Sequence, residues 1–121
     1  MKIRIKGASI RLRLSKTEVT RLVNEGYIWE STPFPTGTFI YALQKVATGT
    51  ELTASFEQGK MTMYVPQALI RDWDTNSLIT IEGNMPVGEE HLYLLLEKDF
   101  QCIDQTTEDQ SDNYINPNKI C

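Results

Sequence analysis

Five basic side chains at alternating positions open the sequence: Lys2, Arg4 and Lys6, then, after Gly7-Ala8, Arg11 and Arg13. They interleave with Ile3 and Ile5 and then with Ile10, Leu12 and Leu14, so each stretch is a strand with one apolar and one basic face. A face of guanidinium and ammonium groups is suited to holding anions. Arginine in particular forms paired hydrogen bonds to phosphate or carboxylate. The candidate site is therefore an anion-binding face of Lys2, Arg4, Lys6, Arg11 and Arg13, and the partner it implies is a small anion or a phosphate-bearing ligand. The competing reading of the same residues is a solvated outer strand face with no ligand at all.

The chain also supplies anions of its own. With Lys16, the first sixteen residues hold six bases and no acid, while the rest holds the other six bases and all sixteen acids. The acids are densest over residues 97–112, where Glu97, Asp99, Asp104, Glu108, Asp109 and Asp112 face the single base Lys98. Glu97, Asp99, Glu108, Asp109 and Asp112 are the expected intramolecular partners of the basic face. A last strand lying beside the first would bring them there.

Other chemistries find less support. Alternating Lys and Arg inside a barrel, with Glu97 and Asp99 on a metal, would resemble the triphosphate-tunnel phosphohydrolases. Those enzymes carry alternating glutamates beside a lysine in the first strand, and Lys2-x-Arg4-x-Lys6 has none. There is one histidine, His91, no Gly-x-Ser-x-Gly and no glycine-rich phosphate loop, so the residues favour a non-catalytic protein without cofactor. Cys102 and Cys121 are far apart and lack Cys-x-x-Cys spacing, which predicts free thiols and no zinc site. The acidic tail has no glycine at the centre of a calcium loop, so no metal is expected there.

The elements that must position these groups read as follows. A two-residue turn at Gly7-Ala8 pairs Ile5 with Ile10 and Ile3 with Leu12, keeping every apolar residue on one face, and sets Arg4 opposite Arg11. Ser15 and Glu18 have capping-box spacing, Val19, Leu22 and Val23 follow at helical spacing, and Gly26 supplies the stop. A strand at 27–31, a loop at 32–37 and an interior strand at 39–43 come next. A second hairpin turning at Gln58-Gly59 pairs Phe56 with Met61, Ala54 with Met63 and Leu52 with Val65. Pro66 then opens a second short helix through Leu69, Ile70 and Trp73, and strands at 78–82 and 91–96 complete the order.

The expected fold is α+β: an antiparallel sheet, curled into a barrel if it closes, with two short helices in the order ββαββ-ββαββ. Residues 1–102 form one domain, with a pseudo-repeat of 1–51 on 52–102 at an offset of about 51 residues. Either an old duplication or the general likeness of amphipathic hairpins would produce that pattern. Residues 103–121 form an acidic tail, docked or disordered.

At 121 residues the chain fits one domain, and a net charge of −4 argues against a nonspecific nucleic-acid binder. No stretch approaches the length of a membrane span, and the strictly alternating start is no export signal, so the cytoplasm is the expected compartment. A self-assembling protein, a homo-oligomer in which acidic and basic faces meet, is the remaining reading. The opening Met-Lys-Ile-Arg-Ile-Lys-Gly-Ala-Ser-Ile-Arg-Leu-Arg-Leu, with Tyr41-Ala42-Leu43-Gln44, Glu97-Lys98-Asp99-Phe100-Gln101-Cys102, Glu108-Asp109, Asp112 and Asn116-Pro117, resembles a small bacterial family of uncharacterised proteins. That resemblance implies no activity, but it does imply that the acidic tail belongs to the domain.

Overall fold

The computed structural model describes residues 1–101, 112 and 114–115. The element order is β1 (Lys2–Ile5), β2 (Ser9–Leu14), α1 (Lys16–Glu25), β3 (Tyr27–Phe34), β4 (Gly37–Val46), β5 (Thr53–Glu57), β6 (Lys60–Pro66), a 3₁₀ turn (Gln67–Leu69), β7 (Thr80–Val87), β8 (Glu90–Lys98), β9 (Phe100–Gln101) and β10 (Tyr114–Ile115). The first hairpin has the register its alternation demands, with Ile5 opposite Ile10, Ile3 opposite Leu12 and Arg4 opposite Arg11. The second pairs Phe56 with Met61 and Ala54 with Met63. Helix α1 begins in a complete capping box: the Ser15 hydroxyl accepts from the Glu18 amide and the Glu18 carboxylate accepts from the Ser15 amide. It ends at Gly26, whose φ of 84° is a left-handed conformation that a side chain would disfavour.

The hairpins do not assemble in chain order. One sheet runs β1-β2-β8-β7 and the other β3-β4-β6-β5, so each half of the chain gives one hairpin to each sheet. The seam of each sheet is parallel, β2 on β8 and β4 on β6. The two halves share one register. Adding 51 to β1 and β2, and 53 to β3 and β4, converts the ladder of either sheet into that of the other: Ile10 opposite Leu94 becomes Met61 opposite Tyr41. The amide bonds that close the seams agree as well, Tyr93 to the Ala8 carbonyl and Ile40 to the Gly59 carbonyl, both at 2.9 Å.

The inner faces of both sheets, α1 and the turn after β6 enclose one core. Leu12, Leu14, Leu22, Leu43, Met63, Trp73, Leu94 and Leu96 are fully buried in it. Burying each such side chain contributes about 1.5–3 kcal/mol. Gly83 in β7 is required by this packing, because a Cβ there would lie 2.8 Å from the Leu52 Cβ. Ala42 and Leu43 are adjacent and both fully buried, which makes β4 an interior strand covered on both sides at that point.

The structure corrects four expectations. The sheet is not closed into a barrel and not wholly antiparallel: there are two four-stranded mixed sheets, because the hairpins pair through parallel seams. The second helix is absent. Pro66 is extended (ψ 134°), Gln67–Leu69 make one 3₁₀ turn, and the left-handed Asp72 (φ 59°) ends any continuation. Too few residues remain there to offset helix nucleation, and the Trp73 indole N–H, bonded to the Leu78 carbonyl at 2.8 Å, folds the segment back on itself. The loop at 32–37 shrinks to Pro35-Thr36, since β3 is an edge strand and tolerates Pro33. Finally, the last long strand, β8, lies beside β2 and not beside β1.

Candidate functional site

The outer face of the first sheet follows from parity. Lys2 and Arg4 share it with Ser9, Arg11 and Arg13 on β2, with Tyr93, Leu95 and Glu97 on β8, and with Thr80, Glu82 and Asn84 on β7. Charge therefore changes sign across the strands, basic on β1 and β2 and acidic on β8 and β7. Leu95 is only 8% exposed although it points outward, which is the amount of cover the neighbouring long side chains supply.

Glu97 is the hinge of this arrangement. Its Oε1 accepts from the Arg13 Nε at 2.8 Å and lies 3.4 Å from the Arg11 Nε, while Oε2 accepts from the Thr80 hydroxyl at 3.4 Å. The Arg11 contact is an ion pair without hydrogen-bond geometry, so the Arg11 Nε is a buried donor with no acceptor among the described residues. Asp99, just past β8, approaches Lys2 with 3.0 Å between Oδ2 and Nζ. Arg4 and Lys6 are exposed, and no carboxylate pairs with either among the described residues. Two clefts mark the surface here, one of about 90 Å³ beside Lys2, Ile3, Arg4, Arg11 and Arg13, the other of about 250 Å³ beside Arg4, Lys6, Ser9 and Arg11. At the rim, a hydrogen bond from Tyr93 to Glu82 raises the tyrosine pKa, with burial and the Glu82 charge acting in the same direction and Arg11 against it.

Asp112 lies elsewhere. Its carboxylate accepts from the Thr17 amide at 3.2 Å and the Thr17 hydroxyl at 3.0 Å, in the first turn of α1, while its carbonyl accepts from the Lys16 amide at 2.9 Å. Burial works against its charge, but hydrogen bonds from Ser15 and Thr17 and the Lys16 charge outweigh it and hold the carboxyl below its ordinary range. Asp112 thus meets the helix start and not the Lys2–Arg13 face. Glu108, Asp109, Asp104, Cys102 and Cys121 lie outside the described residues. Among the described residues no group of His, Cys, Asp and Glu could hold a metal, and no helix is long and apolar enough to cross a membrane. Sequence reasoning passed over Ser9, although it stands two residues before Arg11 on the same face, and also Tyr114, whose polar surroundings carry no periodicity.

A family model covers residues 1–118, almost the whole length. The chain belongs to that family, a family of unknown function (DUF7009). No curated protein and no solved structure matches it. For this DUF7009 chain the residues themselves must carry the functional argument, and the divided charge of the first sheet is where they are most informative.

Proposed function

We propose that the protein is a non-catalytic binding module in which the Arg4–Lys6–Ser9–Arg11 cleft takes a small anion, a phosphate or a phosphate-bearing ligand. The observation that carries this reading is the unequal pairing of the five bases. Glu97 and Asp99 neutralise one end of the face through Arg13 and Lys2, whereas Arg4 and Lys6 keep exposed cationic heads next to the buried, unsatisfied Arg11 Nε. A donor left without an acceptor costs about 1–3 kcal/mol, and an anion oxygen in the cleft would relieve that cost. The Ser9 hydroxyl adds a neutral donor at the cleft wall. The protein's own acids act as internal anions that restrict the site to one end of the face.

The test is a thermal melt and calorimetric titration with sulfate and pyrophosphate at low ionic strength. Ligand at about 100 times Kd should stabilise the fold by about 2.7 kcal/mol. Arg4→Gln should abolish most of that shift. No shift with either anion at millimolar concentration would sink the proposal, and hydrolysis of triphosphate with added magnesium would replace it with a phosphohydrolase.

A further inference from the structure

A third cleft, of about 290 Å³, opens between α1 and the 3₁₀ turn and is lined by Val23, Lys45, Gln67, Ile70, Arg71 and Asp72. It has a twin. Lys45 at the end of β4 and Lys98 at the end of β8 are equivalent under the shared register. The Lys45 amide donates to the Gly26 carbonyl at 2.8 Å and the Lys98 amide to the Ile79 carbonyl at 3.0 Å. Each Nζ then donates to the carbonyl three residues earlier, Val23 at 2.8 Å and Asn76 at 2.7 Å. Carrying the lining of the open cleft across by the same correspondence gives Asn76, Lys98, Lys16, Val19, Thr20 and, in the place of Asp72, Arg21.

That equivalent place is occupied by the chain's own C-terminal segment. The Tyr114 ring centre lies 4.8 Å from the Lys98 Nζ and 5.8 Å from the Lys16 Nζ, and the ring meets Phe100 edge-on at 5.8 Å. The Tyr114 amide donates to the Asp99 carbonyl at 2.7 Å, so the segment adds to the structure as a short parallel strand. Two residues earlier, Asp112 places its carboxylate on Thr17. The pattern is an acid two positions before an aromatic ring that rests on lysine ammonium groups.

We propose that the open cleft at Lys45 is a docking site for a segment of a partner protein with this same chemistry, an acidic residue two positions before an aromatic one. Lys45 stands where Lys98 receives the Tyr114 ring. The carboxylate cannot be received in the same way, because the 3₁₀ turn offers no helix start comparable to that of α1. Ala68 stands where the occupied site has Thr17 and offers no side-chain donor, so Arg71 takes over that role: it lines the cleft, it is exposed, and its guanidinium has no ion pair among the described residues. Lys45 and Arg71 outweigh the single acid Asp72, so the open cleft is net cationic. The proposal stands apart from the anion reading of the first sheet and shares no residue with it.

The probe is a blocked peptide of the sequence Ser-Asp-Asn-Tyr-Ile-Asn, added at millimolar concentration to the full chain and followed by amide chemical shifts. Perturbation should centre on Val23, Lys45 and Ile70. Replacing the peptide's tyrosine by alanine, or Arg71→Glu in the protein, should each weaken binding about tenfold, while Arg4→Glu leaves it unchanged. Lys45→Met is the less secure variant, because Lys45 also holds the end of α1, and Arg71→Glu at an exposed position keeps the test independent of folding. Shifts confined to Lys16 and Lys98, shifts confined to Arg4 and Lys6, or no binding would overturn the proposal. So would concentration-dependent shifts at the cleft without peptide, which would make its occupant a second copy of this chain.

Discussion

Replacing Glu97 by glutamine should move stability and anion affinity in opposite directions. Glu97 neutralises Arg13 through a 2.8 Å hydrogen bond and lies 3.4 Å from the Arg11 Nε, with its side chain only 15% exposed. The amide keeps the shape and the acceptor oxygen but removes the charge shared by two guanidinium groups. For a partly exposed pair the loss should be about 1 kcal/mol or less, and the second arginine raises it to about 1–2 kcal/mol. Arg4 lies two strands away, on β1, in line with Leu95 and two residues along from Glu97, which puts it about 12 Å from Glu97 across the sheet. Removing one negative charge at that distance favours a bound anion by about 0.35 kcal/mol in bulk water and about 1.4 kcal/mol at the effective dielectric of a protein surface. Glu97→Gln should therefore bind pyrophosphate about two- to tenfold more tightly at low salt while melting earlier. The gain in affinity should vanish near 1 M salt, where the screening length is about 3 Å, while the loss of the 2.8 Å Arg13 contact, at a side chain largely out of solvent, should persist. Titration calorimetry and thermal melts on the same samples measure both. A variant that melts earlier with unchanged anion affinity at low salt would refute the idea that Glu97 and a ligand compete for one basic face.

Two further outcomes follow from the packing and the titratable groups. Leu12→Lys, at a fully buried position, should cost about 2–5 kcal/mol, whereas Arg4→Thr should be neutral or stabilising by up to about 1 kcal/mol, because Arg4 sits directly opposite Arg11; thermal denaturation of the two variants checks the register. The Tyr41 pKa is raised to about 12, by burial first and then by the charge and hydrogen bond of Glu30, so its neutral form is favoured by folding. That contribution is complete below the unfolded value of 10.0 and is lost as pH rises towards 12, so Tyr41→Phe should flatten the alkaline limb of the stability profile between those values.

Much of the first sheet's chemistry was legible in the residues. Alternation decided which of Lys2, Ile3, Arg4 and Ile5 faces out, and it identified Leu12 and Leu14 as core. Glu97 and Asp99 could be suspected as internal counter-charges from composition alone, since acids and bases are segregated along the chain. Their actual partners could not. Glu97 reaches Arg11 and Arg13 because β8 lies parallel to β2, and nothing in either strand's pattern names its neighbour. The segment after Pro66 misled for a local reason. Leu69, Ile70 and Trp73 have helical spacing, but the left-handed Asp72 and the indole bond to Leu78 break the helix where the spacing would continue it.

What the sequence determined by itself is local: two hairpins with fixed register, a capped helix, and a face for each side chain, because periodicity of two and capping hydrogen bonds act between residues a few positions apart. The tertiary structure alone decided that each half lends a hairpin to the other half's sheet. Either pairing buries the same alternating apolar residues, so the pattern is indifferent to it, and the choice rests on which closure packs Trp73, Leu22 and the leucines of β8 into one core. That exchange places Glu97 beside the arginines. It also gives Lys45 and Lys98 matching surroundings, of which Tyr114 fills only one.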